Sequence, residues 1–481
     1  MRTFLKNILL VSLLTGFVSC SDFLEVEPEG ELPVKDFFTT QEHAVQSINS
    51  IYAHQRSWSM VAFAWIMYQS VPSDNASKGS AIGDATFIND FDQFKVTPSS
   101  DHSYWSARYE GINLCNQALD NIPGIQMDES LKKRLMGEAK FGRAFYYFDL
   151  VRAFGAVPMP LTVEGALAAS LVRMPADEVY ARIIADLTDA ADALPRSHSG
   201  SDVGRATEGS ARGLLAKVYL YLKEWDKVLE QTTALSQMGY DLIPSFYDAF
   251  RIKTENGIES LYEIQAFSVE GDWDLSSCQY GEVQGIRGDE GVGWGFNIPT
   301  DDLADAFDKA GDAVRKKVTI LYKGDVVEPG DTVVGVAIGE LEGVTIPRWN
   351  GKVHVPKSER EWGPGNGNQN VRVLRYAEIL LIDAEARLNK GDVSGAAASL
   401  NRVRERVSLA PIANPSMQDI WNERRLELAM EGDRFYDLVR TGQAASVLAN
   451  KGFIAGKNEL FPIPQTFMET TNFVLEQNPG Y

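Results

Sequence analysis

The sequence predicts a mainly α-helical chain of helix pairs joined by short turns, with one loop-rich insert and a few short strands. Three observations predict it. Apolar residues recur at helical spacing through most of the first half and the last quarter of the chain. Two-residue breaks, Lys223-Glu224 and Lys390-Gly391, separate consecutive apolar stripes. Between about 240 and 370 the periodicity gives way to glycine-rich and polar runs. A chain of 481 residues that is 44% hydrophobic and 23% charged can bury a large core.

The N-terminus reads as a processing signal. Arg2 and Lys6 supply positive charge, and Ile8 to Val18 form an apolar run too short to span a bilayer as a helix. It ends at Phe17-Val18-Ser19-Cys20, small residues before a cysteine, as in a bacterial lipobox. Cleavage before Cys20 would leave that cysteine to carry the acyl chains. The expected organisation is a signal peptide over 1–19, a lipidated tether over 20–39 and a single domain over 40–481.

Within the domain, Trp105, Tyr109, Ile112, Asn116 and Leu119 mark one face of a helix. Leu131, Leu135, Ala139, Phe145 and Phe148 mark the next, which ends before Gly155. Pro175 opens a third, with Asp177 and Glu178 in its first turn, where carboxylates suit the helix dipole; it stops at Pro195. Ala211 to Leu222 and Trp225 to Leu235 pair across Lys223-Glu224. Ile379 to Leu388 and Val393 to Val407 pair across Lys390-Gly391, a cationic last turn with a following glycine. Ser416 caps a last helix, with Asp419 as its reciprocal partner. Such pairs are similar to degenerate tetratricopeptide units. The scaffold is expected over about 40–70, 103–239 and 371–450, and the loop-rich part over about 71–102 and 240–370. In the latter, helix is expected near 300–318 and a short strand over Gly330 to Ala337.

Lys and Arg number 46 and Asp and Glu 66, so the net charge is −20. That argues against nucleic acid and against electrostatic docking on anionic lipid, both of which need a basic footprint. Besides Cys20 there are only Cys115 and Cys278, too few for a disulfide framework; Cys115 reads as a small buried hydrophobe in a helix. The sequence has no Walker-type glycine loop, no His-Glu-x-x-His and no Gly-x-Ser-x-Gly, and its five histidines are scattered without metal-ligand spacing. No cofactor, no metal and no enzymatic activity are expected.

Several stretches together resemble the SusD/RagB family of Bacteroidetes outer-membrane lipoproteins. They are the lipobox followed by Asp22 to Pro28, then Trp105, Tyr109, Ile112 and Asn116, then Gly137 to Arg152 closed by Phe154-Gly155 and Val157-Pro158. Gly204-Arg205-Ala206-Thr207, Arg375 to Leu381, Leu400 to Arg404, Glu423 to Leu428, Gly432 to Arg440 and Leu460 to Pro464 follow in order. The resemblance implies a SusD-like helical scaffold carrying an irregular ligand-binding half. It also implies a lipid-anchored protein on the outer membrane, facing the cell exterior. Such a protein binds a glycan without cleaving it and delivers it to a SusC-like TonB-dependent transporter.

Sugars present flat apolar faces rimmed by hydroxyls, so stacking rings beside short polar side chains are the residues to seek. Trp294, set between glycines, is the leading glycan-binding candidate, followed by Trp273 and Tyr280. A second surface is Ser73 to Lys78, which the resemblance places next to the pocket. It offers Asn75 and Lys78, with Trp65 among the aromatics before it, beside Trp58 and Tyr68. The helical aromatics, and the charges at Arg143, Asp149, Arg152, Glu427, Asp433 and Arg434, read as scaffold packing and structural ion pairs. Two alternatives stand beside glycan capture: a surface glycoside hydrolase, which needs only two facing carboxylates, and a peptide-binding or interaction scaffold of the same transporter.

Overall fold

The computed structural model describes residues 37–267, 269–270, 278–288, 293–335, 347–361, 368–472 and 474–481. Cys20, Trp273 and the glycine-rich run 363–367 lie outside the described residues. Helix α1 (Gln41–Gln55) starts where the Thr40 hydroxyl accepts from the His43 amide, an N-cap. Strand β1 (Ala76–Gly79) follows, then α2 (Ser103–Asn121), α3 (Glu129–Phe154), α4 (Ala176–Ala193), α5 (Glu208–Leu222) and α6 (Trp225–Ser236). Each of α2 to α6 packs on its predecessor or successor. Lys223 ends α5 in the left-handed region (φ 58), which reverses the chain into α6 in two residues.

The insert holds β2 (Ser260–Ile264), α7 (Tyr280–Gln284), β3 (Phe296–Pro299), α8 (Asp301–Ala310) and α9 (Ala313–Thr319). It continues through β4 (Ile320–Tyr322), β5 (Val326–Glu328), β6 (Asp331–Thr332), β7 (Arg348–Asn350) and β8 (Val371–Arg375). Four antiparallel pairs tie it together: β1 with β3, β2 with β8, β4 with β7 and β5 with β6. The β2–β8 pair joins entry to exit, with Ser260 opposite Arg375, so the insert closes on itself and the scaffold resumes beside α6. There α10 (Tyr376–Asn389) packs on α6, followed by α11 (Val393–Arg406), α12 (Met417–Glu427) and α13 (Arg434–Arg440). The strand expected over Gly330 to Ala337 is shorter: Gly330 (φ 88) turns the β5–β6 hairpin, and within the described residues the strand covers Asp331–Thr332.

One continuous apolar core runs from α1 to Ile463. At its centre Tyr68 stacks on Tyr104 at 4.4 Å, and the Arg108 guanidinium lies 3.4 Å from the Tyr104 ring centroid. Cys115 and Cys278 are both buried and unpaired.

The charges of the family-like motifs form two buried networks. In the first, cations and anions alternate from α2 to α13. Arg108 meets Asp149, which meets Arg152; Arg152 meets Asp433, which meets Lys217. Lys217 continues to Glu378, Arg424, Asp437, Arg440 and Glu385. Every cation touches two carboxylates or ends the chain, which compensates the large cost of taking a charge out of water. The second network bolts the insert to the scaffold. Glu427 of α12 receives Arg375 of β8 at 3.0 Å, Arg315 of α9 at 3.1 Å and Arg406 of α11. Arg375 and Arg406 share Glu259 as well. Burial raises the Glu427 carboxyl, but Arg406, Arg375 and Arg315 outweigh it and hold it well below the usual carboxylate range.

Candidate functional site

After α1 the helix breaks twice. Trp58–Val61 and Phe63–Trp65 are separate turns hinged at Ala62 (φ −83, ψ −120), and Ile66–Ser70 widens into a π turn. A continuous helix would put Trp58 and Phe63 on different faces. The break instead brings both to one open cluster of rings. Trp58 lies 5.6 Å from Trp294, inclined 50°, and Phe63 lies 5.9 Å from Trp294, inclined 46°. Phe63 also meets Phe87 at 5.6 Å and Phe296 at 5.2 Å, both edge-on. Trp58 is 43% exposed and Phe87 36%, Trp294 is half-buried, and Ile82 stands out beside them in sequence at 74%.

The platform is built on β1 and β3. Gly79 faces Phe296 in their register, and the Ser80 amide donates to the Gly295 carbonyl at 2.7 Å. Gly79 has φ 71, and a Cβ there would sit 2.5 Å from that same carbonyl, so only glycine lets the two segments approach. A polar rim borders the rings. Arg287 Nη1 donates to the Ser80 hydroxyl at 2.6 Å and pairs with Asp84. The hydrogen bonds from Ser80 and Arg287 hold the Asp84 carboxyl below its ordinary range. This half-exposed pair and the rings together offer what a sugar requires, stacking faces beside hydroxyl partners.

Beneath the rim Trp294 is anchored from below. Its amide donates to the Glu282 carbonyl at 2.9 Å, and its indole acts on the Glu282 carboxyl group. Burial pushes that carboxyl up to about 7, against the indole's opposing effect. A raised acid holds its proton more tightly folded than unfolded. Its stabilising contribution is therefore full below the unfolded pKa and is lost as pH rises through about 7. Glu282→Gln is expected to abolish this dependence. The melting temperature of the wild type should fall relative to the variant between about pH 5 and pH 8. A pH-independent difference would show that Glu282 does not titrate in that window.

The structure brings most of the sequence-predicted residues to this place, but not with their side chains open. Trp65 is 3% exposed and Tyr280 7%, and their rings meet edge-on at 5.7 Å in the core below the platform. Asn75 is buried, its Oδ1 accepting from Arg425 Nε at 2.8 Å. Lys78 is folded back, donating to the Ala81 and Asp84 carbonyls at 2.9 and 2.7 Å, with its ammonium 5.6 Å from the Phe296 ring centroid. These four support the platform in this state and do not present surface to a ligand. Trp294, with Trp58 of the second surface, puts its ring in the open cluster, and Trp273 lies outside the described residues. Phe63 and Phe87 escaped the sequence reading, although a phenylalanine at 87, among Gly83, Asp84 and Asn89, carried the same signal as Trp294.

A separate cavity of about 250 Å³ lies among the α4–α5 connection, the end of α6 and β2, lined by polar groups that include His198, Arg205, Asn256 and Glu263. No cluster of metal-ligating side chains occurs among the described residues, and no described helix is long and apolar enough to cross a membrane.

Known proteins resemble this chain along most of its length. Residues 22–220 match a SusD-like family described as starch-binding and associating with the outer membrane, and residues 271–481 match the SusD family. SusD-like protein P2 of Formosa agariphila is 29% identical over 522 residues, spanning 99% of both chains. A solved laminarin binding SusD-like protein is 31% identical, with a TM-score of 0.79 over 92% of this chain and 100% of that one. The surface glycan-binding protein A of Bacteroides thetaiotaomicron, solved in complex with laminarihexaose, shares the fold at 23% identity and a TM-score of 0.78, over 92% of this chain and 100% of its own. With two family matches in chain order and a solved SusD-like relative 31% identical over 92% of this chain, the chain belongs to the SusD/RagB family.

Proposed function

We propose that this protein captures a soluble glycan at the outer-membrane surface and passes it, uncleaved, to a SusC-like TonB-dependent transporter. In this reading Cys20 carries the lipid anchor and the insert faces the cell exterior. The observation that carries glycan capture is the open cluster of Trp58, Phe63, Phe87 and Trp294 beside the Asp84–Arg287 pair. The rings are inclined by about half a right angle, so together they make a curved face. A curved face suits a coiling glucan better than a flat ribbon such as cellulose. A relative named for laminarin binding makes a β-1,3-glucan the first ligand to try.

The test is calorimetry of protein lacking residues 1–20 against laminarin, starch, cellulose oligosaccharides and host glycans. Laminarin oligosaccharides are expected to bind at roughly micromolar to millimolar Kd, since a few stacking contacts of about 1 kcal/mol each work against ordering costs. They should be recovered intact after prolonged incubation. Silence across the whole panel, or hydrolysis lost on replacing one carboxylate, would overturn the reading.

A further inference from the structure

Lys451 lies far from the rings in sequence and closes a short turn, Ala449–Lys451, followed by Gly452 in the left-handed region (φ 94). The turn docks directly on the segment behind the platform: a Cβ at Gly452 would sit 3.0 Å from the Gln93 carbonyl. Lys451 then reaches into the loop before β1. Its ammonium donates to the carbonyls of Val71, Ser73 and Ala76 at 2.8, 2.7 and 2.8 Å, and lies 2.5 Å from Asp92 Oδ1. Asp92 in turn accepts from the Lys78 amide at 2.8 Å through its other oxygen. Three carbonyls and a carboxylate converge on one point from three turns of chain.

Such an arrangement of oxygens is what a hard cation takes for ligands. Without a central positive charge, the four oxygens would repel one another and the buried carboxylate would stand unpaired. A lysine ammonium, a compact point charge with three donors, fills the position through a covalent tether. What it organises is the root of the platform. Ala76 begins β1, β1 pairs with β3, and the Gly79–Gly295 approach fixes the residue after Trp294.

We propose that Lys451 is a positioning residue that stands in for a bound metal ion, its ammonium holding residues 71–80 and, through them, the Trp294 ring in binding geometry. The effect on glycan rests on the function proposed above; the effect on the loop does not. Removal of the ammonium should leave a latent site for a free cation of similar charge and size.

The experiment is Lys451→Ala in protein lacking residues 1–20, with two readouts. One is amide hydrogen exchange over 71–80, which needs no ligand. The other is laminarin affinity by calorimetry. Exchange over 71–80 is expected to quicken at least tenfold while that of α3 and α10 stays unchanged, and laminarin binding to weaken about tenfold or more. Methylammonium or potassium, added at millimolar concentration, should restore both in the variant and change neither in the wild type. Unchanged exchange over 71–80, or quickened exchange that no cation slows, would overturn the proposal. If the wild type binds no laminarin, the function reading fails while the exchange result still decides the role of Lys451. Should Lys451→Ala not fold, Lys451→Met keeps the bulk of the stem and removes only the charge. It is expected to quicken exchange over the same segment, and normal exchange there would equally overturn the proposal.

Discussion

Arg375→Ala is expected to destabilise the protein by about 3–5 kcal/mol, the cost of leaving a buried ionic cluster one positive charge short. Arg375 sits at the junction of β8 and α10 and meets Glu259, Glu427 and Glu431 at 2.6 to 3.0 Å. Arg375, Glu259 and Glu427 are buried, and the Glu431 side chain is nearly so. Loss of Arg375 leaves the three carboxylates to Arg406, Arg315 and Lys352, one counter-charge short and with little access to water. The control is Arg402→Ala, which breaks an exposed pair with Asp241 and should cost less than about 1 kcal/mol. Denaturant midpoints of the two variants check the contrast, and equal shifts would refute it. The same network sets an acid limit. The pairing arginines outweigh burial at Glu427 and Asp437, so both carboxyls lie below their ordinary range. Groups depressed by folding stabilise it above their unfolded pKa, and that stability is lost as pH falls below it. Unfolding on acidification should therefore set in below about pH 4.

Trp294→Ala and Trp58→Ala carry the second large effect, on affinity and not on the fold. Each ring contributes stacking and apolar burial of about 1–2 kcal/mol, or roughly five- to thirtyfold in Kd. The double variant should lose binding altogether at millimolar laminarin, with its melting temperature within a few degrees of the wild type. Binding that survives the double variant would move the site elsewhere, with the polar cavity lined by His198, Arg205, Asn256 and Glu263 as the next place to look.

The helices were readable because their causes are local. Apolar spacing and caps marked α3, the α5–α6 turn at Lys223 and the Lys390-Gly391 break between α10 and α11, and those elements stand where the pattern placed them. The broken stretch at 58–70 was not readable, because its run of apolar residues is compatible with one helix. What opens it is the packing of Phe63 against Phe296, more than two hundred residues away. Asn75 and Lys78 looked like open loop residues for the same reason. The partner that buries Asn75 is Arg425, 350 residues further on. Polar character tells which side chains need partners, and distance along the chain hides whether those partners are protein or ligand.

The alternating charges have a consequence for the order in which the chain is made. Arg152 and Lys217 emerge early, yet the carboxylate both share belongs to Asp433, 281 and 216 residues later. Until that residue arrives, closing α3 against α5 would enclose two cations with too few counter-charges, at a cost of several kcal/mol. The first half is thus kept from settling into its final packing by its own arginine and lysine. Domains ordinarily fold as units while synthesis proceeds. Here the last fifty residues act as the release, and a nascent chain cut short of Asp433 should be recognised by proteases as unfinished.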